Sequence, residues 1–252
     1  MNESLTGGLY LPQESLASID NWQDGYNRRF GANNNMFIQP RFQRIEWLRK
    51  YVSHLGKSLR EDETEGRVEV RTAFARVMPR IYTVADAVPV RLRDGLMQKY
   101  PKEHCIYCKS KPCMCSSFVK KEIKRDLVFK PVNLADPQAS WGNPEYQQHS
   151  RDLYGIKNGS DSDRLWVRLY EELDELVEME HEEIPKFHYT SEELAVMYSH
   201  ELADVYMRLV ACANVNDIDL QEVSMERYGM GCAICEQRIC RCRGITFKTM
   251  NP

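Results

Sequence analysis

The chain has 252 residues, 42% hydrophobic and 28% charged, with 34 Lys and Arg against 37 Asp and Glu and a formal net charge of −3. That is enough length and apolar content to bury a substantial core, which excludes disorder and collagen-like structure. The slightly acidic balance argues against a nucleic-acid backbone as main partner, because such domains usually carry a basic excess. The opening MNESLTGGLYLPQESL has neither a basic n-region nor a continuous apolar run, so no secretory signal is readable. The most apolar stretch, Leu202 to Ala213, is interrupted by Asp204 and Arg208 and falls short of the roughly 20 residues a bilayer span needs. A cytoplasmic protein without a membrane partner is expected.

Residues 1–19 read as an N-terminal arm. Phe42, Ile45, Leu48, Val52 and Leu55 recur at helical spacing and predict an amphipathic helix. The helix after it contains Pro79, which is expected to kink or break it. A first cysteine block follows, and then residues 117–138, whose Lys120–Lys121 and Lys124–Arg125 pairs suit a solvated linker. Leu165, Leu169, Leu173, Leu176 and Val177 mark one face of a second amphipathic helix, capped by Ser162 or Asp163 and barred from continuing by Pro185. Thr190 or Ser191 with Glu193 opens a helix through about Asn214. A shorter one runs from Leu220 to about Arg227, ahead of a second cysteine block and a tail over 245–252.

Eight of the nine cysteines share one spacing, C-x2-C-x4-C-x-C: Cys105, Cys108, Cys113 and Cys115, then Cys232, Cys235, Cys240 and Cys242. Four thiolates within eleven residues suit a tetrahedral zinc, and a closed four-Cys site is structural rather than catalytic. Disulfide pairing is the alternative, disfavoured in a reducing compartment. The ninth, Cys212, reads as a small core residue.

The cysteine blocks sit at the ends of a longer repeat. Ala85 to Leu92 and Gln98–Lys99–Tyr100 match Ala213 to Leu220 and Glu226–Arg227–Tyr228 in spacing, and Trp22, Tyr26 and Phe30–Gly31 echo Trp141, Tyr146 and Tyr154–Gly155. The expected architecture is therefore all-α, with two tandem helical-bundle repeats over 20–116 and 139–244, each ending in a zinc knuckle.

In the second repeat, Glu172 and Glu175 lie three apart on one helix, and Glu201 and Asp204 lie three apart on the next, among residues that must be largely buried. A lone buried carboxylate costs several kcal/mol unless it is paired or binds a metal. Arg208, four residues after Asp204, can neutralise one acid but not four. If the two helices pack side by side, the four carboxylates form a site for Mg²⁺ or Mn²⁺, which in turn recruits phosphate oxygens. Trp141, Tyr154 and Trp166 are candidates to stack on a base, with core packing as the alternative for each.

Glu171–Glu172–Leu173–Asp174–Glu175 followed by Glu201–Leu202–Ala203–Asp204 resembles the E-E-x-x-E…E-x-x-D signature of MazG-like all-α nucleoside triphosphate pyrophosphohydrolases. Ala213–Asn214, Ile218–Asp219–Leu220 and Arg227–Tyr228 resemble that family's third-helix region. The resemblance implies hydrolysis of a nucleoside or deoxynucleoside triphosphate to the monophosphate and pyrophosphate. Glu172, Glu175, Glu201 and Asp204 would hold Mg²⁺, Glu171 would assist, and Arg208, Arg227 and Tyr228 would contact the nucleotide. The first repeat departs from the pattern, with Gln43, Glu46 and Arg49 on one helix and Ala73–Phe74–Ala75–Arg76 on the next, so it is expected to be catalytically silent. Family members usually assemble as dimers or higher oligomers, which suggests a single-chain pseudo-dimer or a homo-oligomer here. The cysteine blocks are not part of the family pattern, and the competing expectation is a non-catalytic nucleotide-sensing adaptor that uses its knuckles for partner or nucleic-acid contact.

Overall fold

A computed structural model of the chain describes residues 17–37, 41–61, 67–88, 90–106, 108–114, 131–155, 162–237, 239, 240 and 242. The regular elements among them are all helical: α1 (Ile19–Phe37), α2 (Arg41–Glu61), α3 (Arg67–Ala87), α4 (Leu92–Lys99), α5 (Asn143–Tyr154), α6 (Ser162–Glu178), α7 (Ile184–Lys186), α8 (Ser191–Val215) and α9 (Leu220–Tyr228), with a 3-10 turn over Pro137–Ser140. None of these helices is long and apolar enough to cross a membrane.

Local chemistry sets the helix ends. The Thr190 hydroxyl accepts from the Glu193 N–H at 3.2 Å, and the Glu193 carboxylate accepts from the Thr190 N–H at 2.8 Å. This reciprocal cap satisfies donors that the first turn of α8 leaves without partners. Asp219 caps α9 with a single bond, accepting from the Glu222 N–H at 2.9 Å. Gly155 closes α5 in the left-handed region at φ 64°, where a side chain would be strained.

Pro79 does not break its helix, and Pro185 does not bar continuation as expected. Helix α3 runs unbroken through Pro79. Phe74, Ala75, Val77, Met78, Ile81 and Tyr82 are all buried around it, and burying six such side chains outweighs the roughly 3 kcal/mol that an interior proline costs. Pro185 does not end the second amphipathic helix either. A π turn over Met179–Glu183 intervenes, in which Ile184 N–H donates to Met179 O, five residues back. The wider turn lets the chain continue helically to Lys186 and stop at extended Phe187.

Helices α3 and α8 form the centre and touch each other. Around them, α2 lies on α3 as α6 lies on α8, α1 lies on α3 as α5 lies on α8, and α2 meets α6. The short helices cross over, so that α4 packs on α8 and α9 packs on α3. The loops after them cross too: Cys113 N–H donates to Leu153 O of α5 at 2.6 Å, and Cys240 N–H to Arg29 O of α1 at 2.9 Å. One hydrophobic cluster runs through both sides, from Trp22, Phe74 and Tyr82 to Leu173, Tyr206 and Val223.

A buried glutamine fixes the start of each short helix. Gln23 Nε2 donates to Val90 O at 2.9 Å and to Asp86 Oδ1 at 3.2 Å, while Leu92 N–H donates to Gln23 Oε1 at 3.2 Å. Gln147 makes the same three bonds with Ile218 O, Asn214 Oδ1 and Leu220 N–H, at 2.8, 3.1 and 2.9 Å.

The two glutamines differ in the acceptor they meet, an acid at 86 and an amide at 214. Burial pushes the Asp86 carboxyl up to about 6 from 3.8, against the opposing pull of Gln23, Arg44 and Arg91. A raised folded-state pKa means that stability is lost as pH rises from about 4 to about 6. Asp86→Asn keeps the acceptor for Gln23 and removes the charge. It should be more stable than wild type by about 1–2 kcal/mol at pH 7, with the gap closing near pH 4, as read by urea unfolding at both pH values.

Candidate functional site

The second cysteine block converges as its spacing predicts: the sulfurs of Cys232, Cys235, Cys240 and Cys242 lie within 4.8 Å of one another. So do those of Cys105, Cys108 and Cys113, while the fourth member, Cys115, falls outside the described residues. Tetrahedral zinc with bonds of about 2.3 Å implies sulfur separations of about 3.8 Å. Cys232 and Cys242 stand 3.8 Å apart, and Cys108 and Cys113 stand 3.9 Å apart. Those separations are too long for disulfides and right for a shared metal. Cys212 is fully buried in α8, its thiol pushed up to about 12 by burial.

The four predicted carboxylates lie on the packed pair α6 and α8. Glu201 is 3% exposed and Asp204 9%. Glu172 is half-buried and Glu175 exposed. Burial pushes the Glu172 carboxyl up; Arg208 opposes this, and the negative charges of Asp204 and Glu175 reinforce it. Three of the four acids therefore share one electrostatic neighbourhood. Among the described residues, however, no three of their oxygens gather as the sulfurs do.

Cations hold the two inner acids instead. Arg208 Nε donates to Glu172 Oε1 at 2.9 Å, rather than pairing first with Asp204 as the i,i+4 spacing suggested. Burial pulls the Arg208 guanidinium down, but Tyr100, Glu172 and Asp204 together raise it above its ordinary value. Asp204 accepts from Lys99 Nζ and, at 2.5 Å, from the Tyr100 hydroxyl. Burial and the adjacent Asp204 push the Tyr100 phenol well up, so it stays a donor at neutral pH. One turn earlier on α8, His200 Nε2 is 2.9 Å from Gln98 Oε1.

Gln98, Lys99 and Tyr100 belong to the end of α4, in the first half of the chain. Their sequence counterparts Arg227 and Tyr228 lie on the other side, against α1 and α3. The Tyr228 ring meets Tyr26 and Phe30 edge-on at 5.5 and 5.8 Å, Arg29 donates to Tyr228 O, and Arg227 Nε donates to Tyr228 Oη at 3.3 Å. Sequence reasoning missed Lys99 and Tyr100 as site residues, although it matched them to Arg227 and Tyr228. What it lacked was the crossing of the short helices.

The remaining candidates separate clearly. Glu171 is exposed and takes Arg168 at 2.5 Å on its own helix. Trp141 packs against Tyr146 and His149, with ring centroids 5.3 Å apart in each case. Trp166 donates to Val52 O at 3.1 Å between α6 and α2. Both tryptophans are packing residues. Tyr154 is different, being 40% exposed, 6.4 Å from the Tyr100 ring centroid, and within the fields of Arg208 and Asp204. The chain matches no family model, no curated protein and no solved structure.

Proposed function

We propose that the protein is a Mg²⁺-dependent pyrophosphohydrolase of nucleoside or deoxynucleoside triphosphates, built as a MazG-like duplication whose second half carries the live carboxylates. The observation that carries this reading is the pair of inner acids, Glu172 and Asp204, gripped by Arg208, Lys99 and Tyr100 next to buried Glu201. Hard carboxylate oxygens beside cationic side chains are what a metal–polyphosphate complex requires. Glu172, Glu175, Glu201 and Asp204 would hold the ion, which supplies charge neutralisation and a more acidic bound water. Metal entry would require Lys99 to give up Asp204 and Arg208 to give up Glu172, and both cations would then turn to phosphate oxygens. Tyr154, 40% exposed beside Tyr100, would stack on a base. The matched packing of α1–α4 and α5–α9 around α3 and α8 supports the pseudo-dimer reading. The crossing of α4 supports a site that draws on both halves. Each cysteine block would hold a structural Zn²⁺.

The test is Mg²⁺-dependent pyrophosphate release across a panel of ribo- and deoxynucleoside triphosphates. Glu201→Gln and Asp204→Asn should each lower turnover by at least about 10²-fold without loss of fold. Silence of folded, zinc-replete wild type across the panel would reject hydrolysis. One observation favours a second reading, a nucleotide sensor without turnover: the inner acids already have cationic partners within the chain. Nucleotide binding without pyrophosphate release would select it.

A further inference from the structure

The same packing that sets α6 beside α8 sets α2 beside α3, and what stands there is of opposite character. Ala73 and Arg76 of α3 align with Glu201 and Asp204, and Arg80 follows Arg76 by four residues as Arg208 follows Asp204. Where Arg208 grips Glu172, the Arg80 guanidinium lies over two rings of α2, 4.9 Å from the centroids of both Trp47 and Tyr51. Arg80 Nε is buried and has no hydrogen-bond partner among the described residues. Neither Arg80 nor Arg76 forms an ion pair with a described residue. His54, on the same face of α2, is held below its ordinary value by burial and then by the charges of Lys50, Arg76 and Lys57. The face thus combines two arginines one turn apart, flanking lysines and two half-exposed rings, with no carboxylate among the groups that shift His54.

We propose that this face of α2 and α3 binds a nucleoside polyphosphate without a metal, as a second, non-hydrolytic site. Arg76, Arg80 and Lys50 take the phosphates, whose charge is neutralised by protein cations in place of Mg²⁺. The base stacks on Trp47 or Tyr51, since a purine or pyrimidine face packs on an aromatic ring as a guanidinium does. The footprint fits one nucleotide rather than a strand. The two arginines are only about 6 Å apart along the helix, and the chain as a whole is acidic, with net charge −3. The inference does not depend on turnover at the α6–α8 carboxylates.

The experiment is equilibrium binding of ATP, of inorganic tripolyphosphate and of a twelve-residue oligothymidylate to zinc-replete full-length protein in Mg²⁺-free buffer, with tryptophan fluorescence as a second readout. ATP should bind more tightly than tripolyphosphate and quench a signal that Trp47→Phe removes. Arg76→Gln with Arg80→Gln should weaken ATP at least tenfold. Arg76→Gln alone, which gives up no ion pair with a described residue and so leaves the fold intact, should weaken it severalfold. Binding measured without Mg²⁺, where the α6–α8 carboxylates have no ion to bridge to phosphate, separates this site from the carboxylates. Absence of ATP binding at millimolar concentration, equal binding by the double variant, or tighter binding of the oligonucleotide than of ATP would overturn the proposal.

Discussion

Stripping zinc from the cysteine blocks, which we propose hold it, should destabilise the protein by at least about 5 kcal/mol, a large part of the roughly 5–15 kcal/mol by which folded chains are held. The four sulfurs of the second knuckle converge without any other apolar core of their own, and apart from Cys232 and Cys240 most of the residues around them are exposed. Without a cation, thiols make only weak hydrogen bonds. The consequence reaches beyond the knuckles because each docks on the opposite half, through Cys240 on Arg29 and Cys113 on Leu153. The first knuckle also begins five residues after Tyr100, so its loss should release Lys99 and Tyr100 from Asp204. Calorimetry with zinc quantified in the same samples checks this, with Cys232→Ser as the single-site version. A melting temperature that stays put while bound zinc falls to zero would show that the sulfurs converge for another reason.

Gly95→Ala should be the most damaging conservative change in the α4–α8 contact, at about 3 kcal/mol. A Cβ built on Gly95 would lie 2.1 Å from Ser199 O and 2.7 Å from Ser199 C, both backbone atoms of α8. No rotamer change relieves a backbone clash, so α4 must move away from α8. Lys99 and Tyr100 ride on the end of that helix, and their grip on Asp204 should be lost with it. Gly155→Ala is the control: its Cβ meets nothing within 4 Å, and only the left-handed φ of 64° opposes it, for about 1 kcal/mol. Urea midpoints of the two variants give the comparison. Equal destabilisation would mean that α4 does not approach α8 so closely in solution.

Much of the helical layout was legible because it is decided locally. Leu169, Leu173 and Leu176 of the leucine stripe form the buried face of α6, with Leu165 partly buried against the core, and the Thr190–Glu193 pair forms the cap of α8. The cysteine spacing carries its geometry within eleven residues, so its convergence was readable without any knowledge of the fold. Helices α1 and α5 were read only as echoes of Trp22 and Tyr146. Yet Trp22, Tyr26 and Phe30 recur every fourth residue, and their rings stack successively at 5.5 and 6.0 Å. That four-residue period by itself marks α1 as a helix.

The sequence by itself determined the helical class, the Thr190–Glu193 cap, the convergence of the second cysteine block and the placement of Glu172 with Glu175 on one helix and of Glu201 with Asp204 on another, because each follows from periodicity or spacing within one or two elements. Tertiary structure alone decided that α4 crosses to α8 and α9 to α3, that Lys99 and Tyr100 rather than Arg227 and Tyr228 meet the acids, and that α3 passes through Pro79. These outcomes depend on which buried faces find each other across a hundred residues. The free energy of that choice comes from burial summed over the whole core, which no local window of sequence contains.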